Sequence, residues 1–328
     1  MFLKNIEIGC FRSLDKNKRE FDSQVTFFGT EDCVGFTTGL DAVAVLLQPV
    51  IDILMGEPNP DCPLSYWDTR HLFAHRDADK DNYEYCHIDL RGEFVHDGEV
   101  YVHSCHRVRQ SEPAVFGNPS PLLEWARELN ASVSVPPVDY PLLVYYGADR
   151  DWEHYYTPFD GWATQRSDGY IDALKPHLDY KPNIDWIMLY DRPCPDGKPT
   201  FQMQLLNKAI SGVFTAFSDI IFDTKRNMVC CVPHDTGTNM IPLAWMNSCT
   251  REAFMVVIDI VRRIVTLNPH LGLDALEMTT GIVMLDDLRM FMVPSFQTRI
   301  ANGLRTVFPK IEFLVTVHDM ASDVPLVE

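Results

Sequence analysis

Two adjacent carboxylates, Asp286 and Asp287, follow the apolar run Gly281–Leu285 and are the residues best placed for chemistry. A continuous run of five apolar residues is the pattern of a strand buried on both faces. Ligands of such sheets collect at the carboxyl ends of the strands. Paired acids there suit Mg²⁺ coordination and the activation of water in nucleoside triphosphate hydrolysis. A second feature fits the same chemistry. Gln24–Phe28 reads as a strand, a glycine-containing turn follows, and an apolar helix runs from Thr38 to about Leu47, ending or kinking at Pro49. Strand, loop and helix in that order make the setting of a phosphate loop. Near the end of the chain, Glu312–Val317 reads as another apolar strand, delivering His318.

Several segments in order resemble RecF-like and PtuA-like ATPases, the ABC-type group that includes SMC proteins. GIVMLDDLRMFMVP, from Gly281, resembles the family's GIVLIDEIDLHLHP, with Asp287 in place of Glu, Arg289 in place of Asp, and Phe291 and Val293 in place of two His. Gly9-Cys10-Phe11-Arg12-Ser13 resembles NFRSF, whose Arg approaches the nucleotide. Leu40-Asp41-Ala42 resembles LLDA, which sets the register of the phosphate loop. In that register the pattern G-x-x-x-x-G-K-[ST] is met by Gly35 and Thr37, with Thr38 following, while Thr30 replaces the first Gly and Phe36 the Lys. A phenyl ring cannot neutralise phosphate charge, and Glu31 and Asp32 add negative charge nearby. Tyr145-Tyr146-Gly147-Ala148-Asp149-Arg150 resembles YYGTDR. The signature L-S-x-G-x-R falls on Met246-Asn247-Ser248-Cys249-Thr250-Arg251, keeping only Arg251; a Cβ at Cys249 would crowd a close phosphate. Arg262 to Leu271 resembles the family closely, and His318 falls on its switch histidine, followed here by Asp319.

The resemblance implies an α/β fold, a three-layer P-loop NTPase of the ABC-ATPase head type. Its mixed sheet would contain Phe2–Ile8, Gln24–Phe28, Gly281–Leu285 and Glu312–Val317, with a flanking antiparallel sheet and a helical lobe over Gln202–Leu267. Residues 1–328 would form one such domain, with lobes 1–150, 151–270 and 271–328. Gln202–Phe222 has the apolar spacing of one core-facing helix. Glu84–Leu90 and Glu99–Cys105 read as strands joined at His96-Asp97-Gly98.

On this reading the nucleotide-binding positions are Arg12, Gly35, Phe36, Thr37 and Thr38, the signature positions Asn247, Ser248, Cys249 and Arg251, and the residual catalytic set Asp286, Asp287 and His318. Loss of the phosphate Lys, the signature Ser and Gly and the acidic-strand Glu predicts a catalytically degenerate protein that needs no cofactor. Losses of this kind are non-additive. Its role would be that of a scaffold, regulator or immunity subunit for a protein partner, an effector, nuclease or toxin, or a homodimer. The alternative is an active ATPase using ATP and Mg²⁺ at Asp286, completed in trans by a partner.

Composition bounds both readings. With 28 basic and 46 acidic residues the formal charge is −18, which disfavours nucleic acid and favours basic protein partners. Nine cysteines without regular spacing predict a reducing, cytoplasmic setting. The first residues read as a strand, and no membrane span is expected. His71, His75, Cys86, His87, His103, Cys105 and His106 crowd one region; zinc takes such ligands, but no C-x-x-C spacing occurs, so core and surface histidines are expected.

Overall fold

The computed structural model describes every residue except 23, 29–35, 69–84, 110, 133–136, 148–164, 176–180, 193–196, 235–239, 287–293 and 317–328. The chain forms two compact units, one of residues 1–26 and 30–138, the other of residues 27–29 and 139–328.

The first unit is built on an antiparallel sheet of order β2-β1-β4-β5-β6, made from Phe2–Phe11 (β1), Leu14–Glu20 (β2), Tyr85–His96 (β4), Glu99–Arg109 (β5) and Val115–Phe116 (β6). β1 alternates because one face is covered: Leu3, Ile6 and Ile8 are buried, and Phe2 and Lys4 point out. Asp97 (φ 50) and Gly98 (φ 84) turn β4 into β5, the pair of positive φ angles that a two-residue hairpin requires. Helix α1 (Phe36–Leu54) packs on this sheet and on α2 (Pro121–Ala131).

Helix α1 differs from expectation by running through Pro49. The ring removes the N–H that would bond to Val45 and crowds that carbonyl, and burial of Leu46, Leu47, Val50, Ile51 and Ile53 offsets that cost. The helix stops at Gly56, whose φ of 105° places it where side chains are disfavoured. By length and composition alone Thr37–Leu54 is also long and apolar enough to cross a membrane, with mean hydropathy 1.5. Of that window 61% is buried in the fold, as in a core helix.

The second unit holds a four-stranded sheet of order β3-β12-β11-β7, made from Val25–Phe28 (β3), Ile311–Thr316 (β12), Gly281–Leu285 (β11) and Leu142–Tyr146 (β7). β7, β11 and β12 run parallel, and all their residues are buried. Around them stand α3 (Lys181–Tyr190), α4 (Phe201–Val213), α5 (Ser248–Leu267), α6 (Ala275–Met278) and α7 (Pro294–Val307). A three-stranded antiparallel sheet of order β10-β9-β8 completes the unit, from Phe217–Asp223 (β8), Met228–Pro233 (β9) and Ile241–Pro242 (β10).

The architecture is α/β with a parallel sheet, a separate antiparallel sheet and a helical lobe, as the sequence predicts. Two placements are corrected. Phe2–Ile8 joins the antiparallel sheet, and β7 takes the edge position beside β11. The helix expected over Gln202–Phe222 ends at Val213, and β8 follows it. Phe217, Ile220, Ile221 and Phe222 have the β-branched and aromatic character that suits a pleated surface. Their spacing also satisfies a helical stripe, which is why periodicity alone misassigns them.

Candidate functional site

Asp286 is the residue that follows β11. Its carboxylate is buried between the ends of the two neighbouring strands. Thr316, the last residue of β12, donates Oγ1–H to Asp286 Oδ1 at 2.6 Å, and Tyr145 of β7 places its hydroxyl 3.5 Å from Oδ2. The Asp286 amide donates to Tyr146 O at 2.8 Å. The acid is therefore held at the carboxyl edge of the sheet, with a hydroxyl against each oxygen. Carboxylate and hydroxyl oxygens are the donor types that Mg²⁺ accepts, so the described residues fit one anchoring carboxylate and a neighbouring hydroxyl for such an ion. Asp287 and His318 lie outside the described residues.

Behind Tyr146 lies a buried ionic network. Tyr146 donates its hydroxyl to Asp259 Oδ2 at 2.8 Å. Arg263 Nε donates to the same oxygen at 2.6 Å, and Arg262 Nη2 to Oδ1 at 2.6 Å. Arg263 Nη1 also reaches Gly169 O at 2.7 Å and Ile171 O at 3.0 Å. Burial opposes the charge of Asp259, but the two guanidiniums prevail and hold its carboxyl down at about 2. Burial raises the Tyr146 hydroxyl well above the ordinary tyrosine range, and the Asp259 charge adds to this. Network and acid meet through consecutive residues of β7, Tyr145 touching Asp286 and Tyr146 touching Asp259.

The other end of α5 carries the signature positions. Asn247 is its N-cap: Oδ1 accepts the Thr250 amide at 2.9 Å, a bond that satisfies one of the free amides of the first turn. Asn247 and Ser248 are exposed and Cys249 is half-buried. Arg251 Nη1 lies 3.5 Å from Ala244 O. Beside them Trp245 is 73% exposed.

In the first unit, Arg12 and Ser13 form the two-residue turn between β1 and β2, closed by the pairing of Phe11 with Leu14. Arg12 has φ 47, a conformation that costs a side chain on the order of 1 kcal/mol. Its guanidinium bonds Asp41 of α1, and its Nε donates to Asp68 Oδ1 at 2.9 Å; its amide donates to Asp68 O at 2.7 Å. Asp68 Oδ2 in turn accepts the amide and hydroxyl of Ser65, each at 2.9 Å. Burial works against the guanidinium's charge, but Asp41 and Asp68 together raise its affinity for the proton. Ser13 Oγ and Thr38 Oγ1 are 3.0 Å apart. Phe36 is the first residue of α1 and Thr37 is exposed; Gly35 lies outside the described residues.

The structure thus brings Arg12 and Thr38 into one cluster, and it places Asp286 and the signature residues at separate points of the second unit. Asp68, Thr316 and the Asp259 network are the important residues that sequence reading missed. Asp68 follows a proline-rich stretch with no periodic pattern. Asp259 sits inside an apolar helix, where one acid followed by Arg262 and Arg263 is the available signal.

Of the histidine and cysteine region, residues 71 and 75 lie outside the described residues. His87 is exposed. His103 is buried, its Nδ1 2.6 Å from Ser120 Oγ, and burial lowers its pKa to about 4. Among the described residues no group of three His, Cys, Asp or Glu side chains is arranged to hold a metal ion.

No family model matches the chain. A stretch of 63 residues, 19% of the chain, is 38% identical to the retron Ec83 probable ATPase of Escherichia coli, and the same length is 38% identical to the retron Vc95 probable ATPase of Vibrio cholerae serotype O1 biovar El Tor. These matches cover 11% and 12% of those relatives' own lengths. Among solved structures, the chain is similar to the SMC head domain from Thermotoga maritima, with TM-score 0.49, 15% identity, and 97% of this chain and 90% of that one covered. It is also similar to the recombination mediator RecF in its ATP form, with TM-score 0.43, 14% identity, and 99% and 95% covered.

Proposed function

We propose that this chain is a catalytically degenerate relative of ABC-type ATPases that acts by binding a protein partner, as a scaffold or regulatory subunit beside an effector. The observation that carries the reading is the state of Arg12. The guanidinium that the family resemblance assigns to the nucleotide is held between two carboxylates, Asp41 and Asp68. One cation against two anions offers a triphosphate no net attraction. The residue that opens α1 is Phe36, where a phosphate-binding helix of this type needs Lys. The resemblance to PtuA-like ATPases and the local match to retron ATPases favour a place in bacterial anti-phage defence, in the cytoplasm. The formal charge of −18 favours a basic partner such as a nuclease or toxin.

A second reading has one observation in its favour. Asp286 keeps an oxygen donor environment with Thr316 at the carboxyl edge of the sheet, as a Mg²⁺-dependent ATPase completed in trans by its partner would require. Thermal stability with and without millimolar Mg²⁺-ATP separates the two. A bound ligand stabilises by mass action, about 2.7 kcal/mol at a hundredfold excess over Kd. The degenerate reading expects no shift in the natural protein. A shift that is lost in Asp286→Ala overturns it in favour of the second reading.

A further inference from the structure

We propose that the outer face of the first unit's antiparallel sheet is a homodimer interface, on which two copies of this chain stack sheet on sheet about a twofold axis. The face lies apart from the nucleotide positions, and the inference does not depend on the proposed function.

Strand register decides which side chains share that face, because residues directly opposite across antiparallel strands point the same way. Lys18, Glu7, Arg91 and Ser104 form one row across the strands, and Glu20, Asn5, Glu93 and Val102 form the next. Beyond the second row stand Phe2, Val95 and Val100, again paired in register. Beyond the first row, at the other end of β5, stand Val108 and Val115. Phe2, Val100, Val108 and Val115 are exposed. The sheet thus buries its other face under α1 and α2 and shows solvent two apolar patches, one at each end of β5. Single exposed apolar residues are ordinary, but grouped ones mark contact surfaces.

Charge selects the occupant. Two copies of a chain with formal charge −18 repel over most of their surface. The outer face is balanced instead: Lys4, Lys16, Lys18 and Arg91 stand with Glu7, Glu20, Asp89 and Glu93. Lys18 pairs with Glu7 at 2.8 Å, and Lys4 and Arg91 with Glu93 at 3.8 and 3.5 Å. A basic protein or a nucleic acid gains nothing from a neutral surface, whereas a second copy escapes its own repulsion there.

The pattern is also self-complementary. A twofold axis lying across the strands, between the Lys18 and Glu20 rows, sets each strand over its own copy with the direction reversed. Lys18 then faces the partner's Glu20, and Arg91 faces the partner's Glu93. Val108 and Val115 at one end of β5 face the partner's Val100 at the other. This is an isologous contact, which closes at two subunits, in the aligned geometry of two stacked sheets. The strand lengths give a footprint of roughly 700 Å² per copy, close to the ~800 Å² per partner of a standard stable interface.

The test is analytical ultracentrifugation of the full-length protein without nucleotide, from about 1 to about 100 μM. The expected result is a dimer at the upper end of that range. Val100→Glu should raise its dissociation constant at least about tenfold, since each copy would bury a carboxylate against apolar side chains. Arg91→Glu should weaken it about tenfold, and Arg91→Glu with Glu93→Arg should return it to within about threefold of the natural protein. Circular dichroism shows that each variant is folded. Should one not fold, acetylation of the natural protein decides: Lys16 and Lys18 should react more slowly in the dimer than in the diluted monomer, while exposed Lys225 of the second unit reacts equally in both. A monomer throughout, a dimer that forms only with Mg²⁺-ATP, a dimer indifferent to Val100→Glu, or unchanged labelling of Lys16 and Lys18 overturns the proposal.

Discussion

Thr316 donates a hydrogen bond to Asp286, 2.6 Å from Oγ1 to Oδ1, and both residues are buried at the carboxyl ends of adjacent parallel strands. The threonine is the closing residue of β12. Its hydroxyl replaces water at an acid that the sheet removes from solvent. Thr316→Val keeps the shape and deletes the donor, leaving the Asp286 oxygen without that partner. A loss of about 1–3 kcal/mol is expected in urea unfolding of the full chain. A loss below a few tenths would mean that Asp286 is solvated by another route.

The register of the strand that delivers Asp286 depends on Gly281. A Cβ built there would sit 2.0 Å from Leu142 O and 2.7 Å from Leu142 N, both backbone atoms of the parallel neighbour. Backbone of a buried strand cannot step aside as a flexible side chain can. Gly281→Ala should cost about 3 kcal/mol, the upper end of overpacking, and should lower soluble yield. Gly39, with nothing within 4 Å of its added Cβ, is the control; Gly39→Ala on helix α1 should be neutral or stabilising.

Helix α5 begins where it does because Asn247 caps it. Asn247→Ala should cost about 1 kcal/mol, whereas Asn247→Ser, which restores the residue of the signature pattern, should be close to neutral because serine caps as well. Chemical denaturation of the two variants measures this. No loss in Asn247→Ala would show that the Thr250 amide bond contributes nothing.

These elements also show what could be read from the sequence. β11 appears at its true bounds because a parallel strand buried on both faces is a continuous apolar run, closed here by Asp286. The hairpin at Asp97-Gly98 was legible from turn chemistry. β2 was not: Leu14–Glu20 is LDKNKRE, an exposed edge strand held by backbone pairing to β1, and its side chains carry no buried pattern. The join of α4 to β8 was hidden because Phe214 stacks on Phe254 and Phe217 meets the same ring edge to face, so helix and strand residues share one apolar surface. For the site, Asp286 was legible from strand chemistry. Its partner Thr316 and the Asp41–Arg12–Asp68 cluster were not, since such contacts join residues far apart in sequence and leave no spacing to read.

His103 gives the first unit a pH dependence. Burial lowers its pKa to about 4 from an ordinary 6.5. Below pH 6.5 the unfolded chain therefore takes a proton that the folded chain refuses. Stability should fall as pH drops from about 6.5 to about 4 and then level, losing roughly 3 kcal/mol in all. His103→Gln, which can still bond Ser120, should flatten that window in urea titrations at stepped pH. An unchanged slope would assign the window to other groups.

Asp259 governs a lower window, with the opposite kind of group. Its folded carboxyl is held at about 2, below the ordinary 3.8, because Arg263 and Arg262 overcome the burial penalty. A carboxyl depressed on folding contributes stability that is complete above pH 4 and lost as pH falls through about 2, on the order of 2 kcal/mol. Asp259→Asn should abolish this acid window. It should also cost more at neutral pH, about 3–5 kcal/mol, since Arg263 would be left buried at 2% exposure without its anion. Asp259→Asn with Arg263→Met removes both charges, and it should recover part of that loss because the uncompensated cation goes with its partner. Additive losses in the double variant would show that Arg263 is satisfied by Gly169 O and Ile171 O alone. The network would then be a set of separate bonds rather than a unit joining α5 to β7.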